Sequence, residues 1–295
     1  MSDTYIHVKP AIEVQFQKCM ERGRVLFFSA PCGFGKTVTA EKLIRQTGEK
    51  YRSVSGDRVP FEQLIEDPNW KILFVDDLQM MQEEKDLQAL CSLIRENPDR
   101  RFILASRGLP PGCLMAFQYT GLMSVLHADV LLFDREDIRK LFQEWEVPVT
   151  DSELSGVTKE SIGHPLGVVI TIRHMAEGQT FGPELVAGAF REVFRYFETA
   201  IYKRFDLNIR RFLLELAPFE QFDLDMARIV SGDPRVGEML DWLQRNTTML
   251  RYDETQRFHF WPQFRAFLMW EMDREYPEEK KKTLYSRGGM YYELK

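Results

Sequence analysis

Two glycines, Gly33 and Gly35, stand just before Lys36-Thr37 in the segment Ala30-Pro31-Cys32-Gly33-Phe34-Gly35-Lys36-Thr37. Residue types in this order suit a polyphosphate. Such an anion needs several converging donors, and a glycine-rich loop at the head of a helix supplies them as main-chain N–H groups. Gly33 and Gly35 allow the backbone to close around the anion, and Pro31, Cys32, Phe34 and Val38 complete the lining. Lys36 is expected to reach the β and γ phosphates as a point charge, and the Thr37 hydroxyl to ligate Mg²⁺. The first glycine of the usual G-x-x-x-x-G-K-[ST] pattern is Ala30 here, which is tolerable if that residue keeps φ negative.

A second signal is independent of the first. The apolar run at 72–75 ends in Asp76-Asp77, which puts both carboxylates at the C-terminal edge of a sheet, beside the phosphates. Asp76 is expected to be the Mg²⁺ partner, and Asp77 to orient or deprotonate an attacking water. The alternative is that both acids cap the helix that follows. A further run at 102–105 ends in Ser106-Arg107. The guanidinium there can bind γ-phosphate oxygens bidentately, or it forms an ordinary surface ion pair. The expected catalytic set is Asp77, Lys36 and Arg107, acting on ATP or ADP with Mg²⁺.

These residues need a scaffold, and the pattern between 24 and 133 supplies one. Short apolar runs alternate with helix-like stretches, the sign of a parallel sheet covered by helices in three layers. Strands are expected at 24–29, 51–55, 72–75, 102–105 and 130–133. At Asp134 the texture changes to a helix with Ile138, Leu141, Phe142 and Trp145 on one face, ended by Pro148. Another helix spans 167–176, and a long amphipathic one carries Leu185, Ala189, Val193, Phe197, Ile201 and Phe205 on a single stripe. From Asp206 the order is three helices (209–216, 224–230, 237–245), a hairpin turning at Asp253-Glu254, and a helix from Pro262, the order of a winged-helix domain. The expected fold class is α/β: a P-loop NTPase domain at 1–133, a helical domain at 134–205, a winged-helix domain at 206–275, and the start of a helical arm or repeat region at 276–295.

Composition narrows the setting. The 295 residues carry 39 Lys and Arg against 45 Asp and Glu, a net charge of −6 that leaves no footprint for nucleic acid. Within 206–275, 9 Arg and no Lys face 13 Asp and Glu, so the winged helix reads as a regulatory clamp and not as a DNA reader. Cys19, Cys32, Cys91 and Cys113 form no C-x-x-C pair and read as reduced thiols, which with the lack of a signal peptide or apolar span points to the cytoplasm and no membrane.

Taken together, these motifs resemble the signal-transduction ATPases with numerous domains, in the branch of the large LuxR-type regulators typified by the bacterial maltose-regulon activator. The resemblance rests on residues 29–37, on Leu73-Phe74-Val75-Asp76-Asp77, and on Leu104-Ala105-Ser106-Arg107-Gly108-Leu109-Pro110. It continues in Gly163-His164-Pro165-Leu166-Gly167 and in the segment from Trp261 to Leu268. It implies a nucleotide switch: ADP held between the three domains keeps the protein closed, and exchange for ATP opens it to self-association. It also implies that Pro165 packs on the adenine, and that DNA is reached only through a downstream domain. Relatives usually carry a histidine where this chain has Trp261, and His259 is no obvious substitute. The competing classes are an AAA-type remodeller or other ATP-using enzyme, with fast turnover, and a nucleotide-bound scaffold without useful hydrolysis.

Overall fold

Runs such as Ile72-Leu73-Phe74-Val75 offer no polar face to water, so they must pair inside a sheet covered on both sides. The structure, a computed structural model, describes residues 6–66 and 69–293. It divides into two compact units, Met1–Ala189 and Phe190–Lys295.

In the first unit, β1 (Val25–Ser29), β2 (Tyr51–Ser55), β3 (Ile72–Asp76), β4 (Arg101–Ser106) and β5 (Met123–His127) form one parallel sheet in the order β2-β3-β4-β1-β5. Alternate side chains feed opposite layers, as the period of a strand requires. Val25, Phe27, Leu73, Val75, Phe102 and Leu104 join a core with residues of α3 (Phe61–Glu66), α4 (Glu84–Glu96) and α5 (Gly112–Tyr119). Their neighbours Leu26, Phe28, Phe74 and Ile103 are equally buried, as are the inner faces of α1 (Pro10–Glu21) and α2 (Lys36–Gln46). Because β4 lies between β1 and β3, the loop after β1 and the acids after β3 flank Ser106-Arg107.

The fifth strand is corrected. Residues 130–133 are not a strand: α6 (Ala128–Leu131) is a single helical turn, and the sheet is completed by Met123–His127. β5 is an edge strand whose residues are only partly buried, so it lacks the continuous apolar run that marks β3 and β4. The more apolar 130–133 carries a strand-like signal without being a strand.

Helices α7 (Arg135–Glu144), α8 (Asp151–Ser161) and α9 (Pro165–Ala176) share a small core of Ile138, Leu141, Phe142, Leu154, Val157, Val168 and Ile172. Asp134 caps α7 as expected, in a capping box with Asp137, and Thr150 does the same for α8 with Glu153. α7 stops at Glu144, short of Pro148, and Trp145 packs on the core from the C-cap position. α9 starts two residues earlier than expected, because Pro165 suits the first helical position. The segment before α1 is strapped to α7: Asp137 receives His7 Nε2 at 2.9 Å and Lys9 Nζ at 3.1 Å.

α10 (Pro183–Ala200) runs across the boundary between the units. Its expected stripe is buried throughout, although Ile201 and Phe205 lie beyond the helix end. In the second unit α11 (Leu207–Leu216), α12 (Leu224–Ser231) and α13 (Val236–Asn246) precede the hairpin β6 (Leu250–Tyr252) and β7 (Phe258–Phe260), then α14 (Pro262–Glu275) and α15 (Glu278–Glu293). The hairpin does not turn tightly at Asp253-Glu254. Its loop covers 253–257, with Gln256 left-handed at φ 60° and Asp253 N–H donating to the Arg257 carbonyl. Aromatic rings fill the core: Phe197 packs edge-on against Phe264 and Phe267, each with centroids 5.9 Å apart. α15 buries Leu284, Gly288 and Tyr291, and Arg287 donates to the Val230 carbonyl at 2.9 Å.

Two predictions follow from this packing. A Cβ on Gly288 would lie 2.3 Å from the Phe219 ring, whereas one on Gly289 meets nothing within 4 Å. Gly288→Ala should therefore cost about 1–3 kcal/mol in denaturant unfolding, while Gly289→Ala should gain up to about 1 kcal/mol from helix propensity. Burial works against the charge on Asp137, but hydrogen bonds from His7, the Asp134 amide and Lys9 hold its carboxyl well below the usual carboxylate range. A depressed pKa gives stability that is complete above about pH 4 and declines as pH falls below it. Asp137→Asn should lose about 3 kcal/mol at pH 7, and the gap from the parent should narrow in unfolding curves taken below pH 4.

Candidate functional site

Strand β1 is buried along its whole length, so the chain leaves it at a fixed point and direction. Gly33 and Gly35 then adopt φ of 80° and 75°, left-handed values that a side chain would strain. Ala30 is not among the positive-φ residues, so its methyl group does no harm. Lys36, the first residue of α2, folds back over the loop and donates to the carbonyls of Ala30 at 2.7 Å and Pro31 at 2.8 Å. Burial lowers its pKa to about 8, with Arg107 adding to the effect and Cys32, Asp76 and Asp77 opposing it. The two carbonyls offset part of the cost of burying this ammonium. Pro31, Cys32 and Phe34 are buried around it, while Val38 lies on the exposed side.

The two acids after β3 do different things. Asp76 accepts from Thr37 Oγ1 through Oδ2 at 2.7 Å and from the Asp77 amide through Oδ1 at 2.8 Å. Thr37 and Asp76 thus present a hydroxyl and a carboxylate together, the hard oxygen donors that Mg²⁺ prefers. Asp77 is left-handed at φ 48°, a strained conformation for a non-glycine residue. Its Oδ1 receives both Gln79 Nε2 at 2.7 Å and Arg107 Nε at 3.2 Å, and Gln79 Oε1 accepts from the Arg107 amide at 2.9 Å. Arg107 thus forms an ion pair with Asp77, which is itself partly exposed. The loop after Arg107 is anchored in turn, since Ser29 Oγ donates to the Gly108 carbonyl at 3.0 Å.

Two contributors escaped the sequence reading. Gln79 bridges the ends of β3 and β4, and nothing in its type or spacing announced this. Gly56 follows β2, where a Cβ would lie 2.6 Å from the Asp77 carbonyl oxygen and 2.9 Å from Leu78 Cα. Strand pairing could have pointed to it, because Ser55 is in register with Asp76.

The Gly163-His164-Pro165 turn reaches the loop from the other side. Gly163 (φ 71°) sits where a Cβ would be 2.3 Å from the Phe133 carbonyl oxygen, and Phe133 N–H donates to the Gly163 carbonyl at 2.8 Å. Pro165 is buried at the start of α9, and the next amide, of Leu166, donates to the Gly33 carbonyl at 3.0 Å. The first unit thus gathers Lys36, Thr37, Asp76, Asp77, Arg107 and Pro165 around one strand-to-helix loop. In the second unit Trp261 occupies the N-cap position of α14 without a side-chain cap bond, its indole donating instead to the Thr248 carbonyl at 2.8 Å, and His259 pairs with Asp253.

A five-stranded parallel sheet with a glycine loop between β1 and α2, followed by helical and winged-helix parts, is the fold of the P-loop ATPases. A Walker-type ATPase of Pyrococcus abyssi superposes with a TM-score of 0.68 at 13% identity, over 89% of this chain and 96% of that one. RuvB of Thermotoga maritima, a Holliday junction branch migration motor, does so with a TM-score of 0.50 at 14% identity, over 88% and 95%. The second part is more particular: residues 198–280 match the MalT winged helix domain. No curated protein matches the sequence. Among the described residues no helix is long and apolar enough to cross a membrane.

Because the Gly56 contact is with backbone, it cannot be relieved by a rotamer change. Gly56→Ala should destabilise the fold by about 1–3 kcal/mol in chemical denaturation. A variant within 0.5 kcal/mol of the parent, a bound typical of neutral surface substitutions, would remove Gly56 from the support of Asp77.

Proposed function

We propose that this chain is an ATP- and ADP-binding signal-transduction module, a nucleotide-dependent switch within a bacterial LuxR-type transcriptional regulator. One observation carries the nucleotide reading: a buried lysine held on two loop carbonyls, beside two left-handed glycines at a helix head. Pro31, Cys32, Gly33, Phe34, Gly35, Lys36, Thr37 and Val38 cradle the phosphates, and Pro165 lies against the adenine. Thr37 and Asp76 hold Mg²⁺, whose chemistry when bound is to neutralise charge on the phosphate oxygens. Asp77 accepts the proton of the attacking water, and Arg107 exchanges its contact with Asp77 for one with the γ-phosphate.

In this reading the chain is organised as a nucleotide domain at 1–133, a helical domain at 134–205, a winged-helix clamp at 206–275 and the start of a helical arm or repeat region at 276–295. Hydrolysis is slow, because a signal must outlast the chemistry that ends it. The ATP state self-associates in the cytoplasm, and DNA is contacted by a downstream domain. The MalT-type winged helix supports the regulatory assignment, and the acidic balance of 206–275 supports a clamp over a DNA reader.

Two measurements test this. The purified protein should release ADP on denaturation, identified by chromatography, or bind MgATP in calorimetry. Lys36→Ala should weaken that binding by about 100-fold or more, since the phosphates lose their buried cation. Retention of parental affinity in that variant would exclude the loop as the nucleotide site, and rapid turnover by the parent would favour a motor or transfer enzyme.

A further inference from the structure

The nucleotide cycle proposed above gives His164 no task, yet its imidazole is 1% exposed and lies against the phosphate loop. The ring meets Phe34 edge-on, with centroids 5.1 Å apart and planes at 87°. Its Cε1 and Nε2 stand 2.9 and 3.1 Å from where a Cβ on Gly33 would be, so the imidazole fills the space beside that glycine. Two residues on, Leu166 N–H donates to the Gly33 carbonyl at 3.0 Å. Residues 164–166 thus touch the loop with a ring and with an amide.

On its other edge the ring is tied to its own helix. Nδ1 accepts from the Gly167 amide at 3.3 Å, making His164 the side-chain cap of α9. Burial pushes its pKa down to about 4, against a smaller opposing contribution from the Cys32 main chain. The imidazole is therefore neutral at pH 7. With Nδ1 accepting, the single ring proton must sit on Nε2, the nitrogen that faces the loop.

The start of α9 is consequently built partly from the loop itself. Pro165 has no N–H to satisfy, Leu166 uses the Gly33 carbonyl, and Gly167 uses His164. Gly33, with no Cβ and a left-handed φ, has more backbone freedom to lose than any other residue type. A rigid ring against it removes that freedom before any ligand arrives.

We infer that His164 is a positioning residue of the phosphate loop: its imidazole, wedged against Gly33 and Phe34, holds the loop in the shape that accepts a nucleoside di- or triphosphate. This rests on the reading that the loop binds such a nucleotide. Without the wedge the loop populates other shapes, and apparent affinity falls by the fraction of molecules still competent.

His164→Asn separates capping from wedging. Asparagine is among the best helix caps, so α9 keeps its start, but its side chain is too short to fill the space at Gly33. The variant should fold cooperatively, with a somewhat lower denaturant midpoint because the shorter buried side chain leaves a small cavity. Its MgADP dissociation constant by calorimetry should rise about tenfold, as expected if about a tenth of the loops remain competent. Hydrogen exchange at the Leu166 amide, in protein without nucleotide, should quicken by a similar factor. The longer His164→Gln should recover affinity to within about threefold of the parent.

Parental affinity and parental Leu166 exchange in His164→Asn would overturn the inference, and so would equal weakness of the Asn and Gln variants. Should His164→Asn fail to fold, imidazole ¹⁵N shifts of the parent decide. An Nε2–H tautomer whose signal moves on adding MgADP supports the wedge, and an unmoved signal overturns it. If the parent gives no heat with MgADP or MgATP, the nucleotide reading fails, while Leu166 exchange still decides whether His164 holds the loop.

Discussion

A buried cation is tolerated inside a protein only where its charge meets acceptors that are already in place, and Lys36 meets that requirement at the loop after β1. Two glycines bend the backbone into left-handed turns, and Lys36 spans the result from within, bonded to the Ala30 and Pro31 carbonyls. A lysine is costly to bury, and burial lowers its pKa to about 8. The cost is tolerable because the same ammonium rigidifies the loop it crosses.

The loop is supported from two directions. On the sheet side, the order β3-β4-β1 brings Ser106-Arg107 between the loop and the acids, so that Thr37 meets Asp76 while Arg107 and Gln79 converge on one oxygen of Asp77. Asp77 keeps a strained backbone there, and Gly56 leaves the room that this backbone needs. On the helical side, the turn at 163–165 docks Gly163 on Phe133 and His164 on Gly33 and Phe34. The start of α9 and the loop after β1 thereby share direct side-chain and main-chain contacts.

The second unit obeys a different logic. Its core is aromatic, with Phe267 in ring contact with Phe194, Phe197 and Phe264, and α15 closes it through Gly288 on Phe219 and the Tyr291 hydroxyl on Asp223. Its helix starts at Asp206 and Asp223 are capped by their own side chains. Its formal charge is balanced, with 18 Lys and Arg against 18 Asp and Glu over 190–295, which leaves no excess of positive charge for a phosphate backbone.

Reading the residues in order was enough for features that depend on near neighbours. The loop glycines, the ends of β3 and β4, and the cap at Asp134 are settled within a few residues, because left-handed φ and orphan helix amides are local problems with local solutions. The edge strand β5 was not legible, since half-buried edge residues carry no continuous apolar signal, whereas the more apolar 130–133 carries a strand-like one. Nor were Gly56, Gln79 and His164. Their partners are Asp77, Arg107 and Gly33, and all three pairs lie far apart in the chain until strand order and helix docking bring them together. Such contacts are chosen by the folded arrangement, because close packing decides which distant side chains must share a space, and no periodicity along the chain encodes that choice.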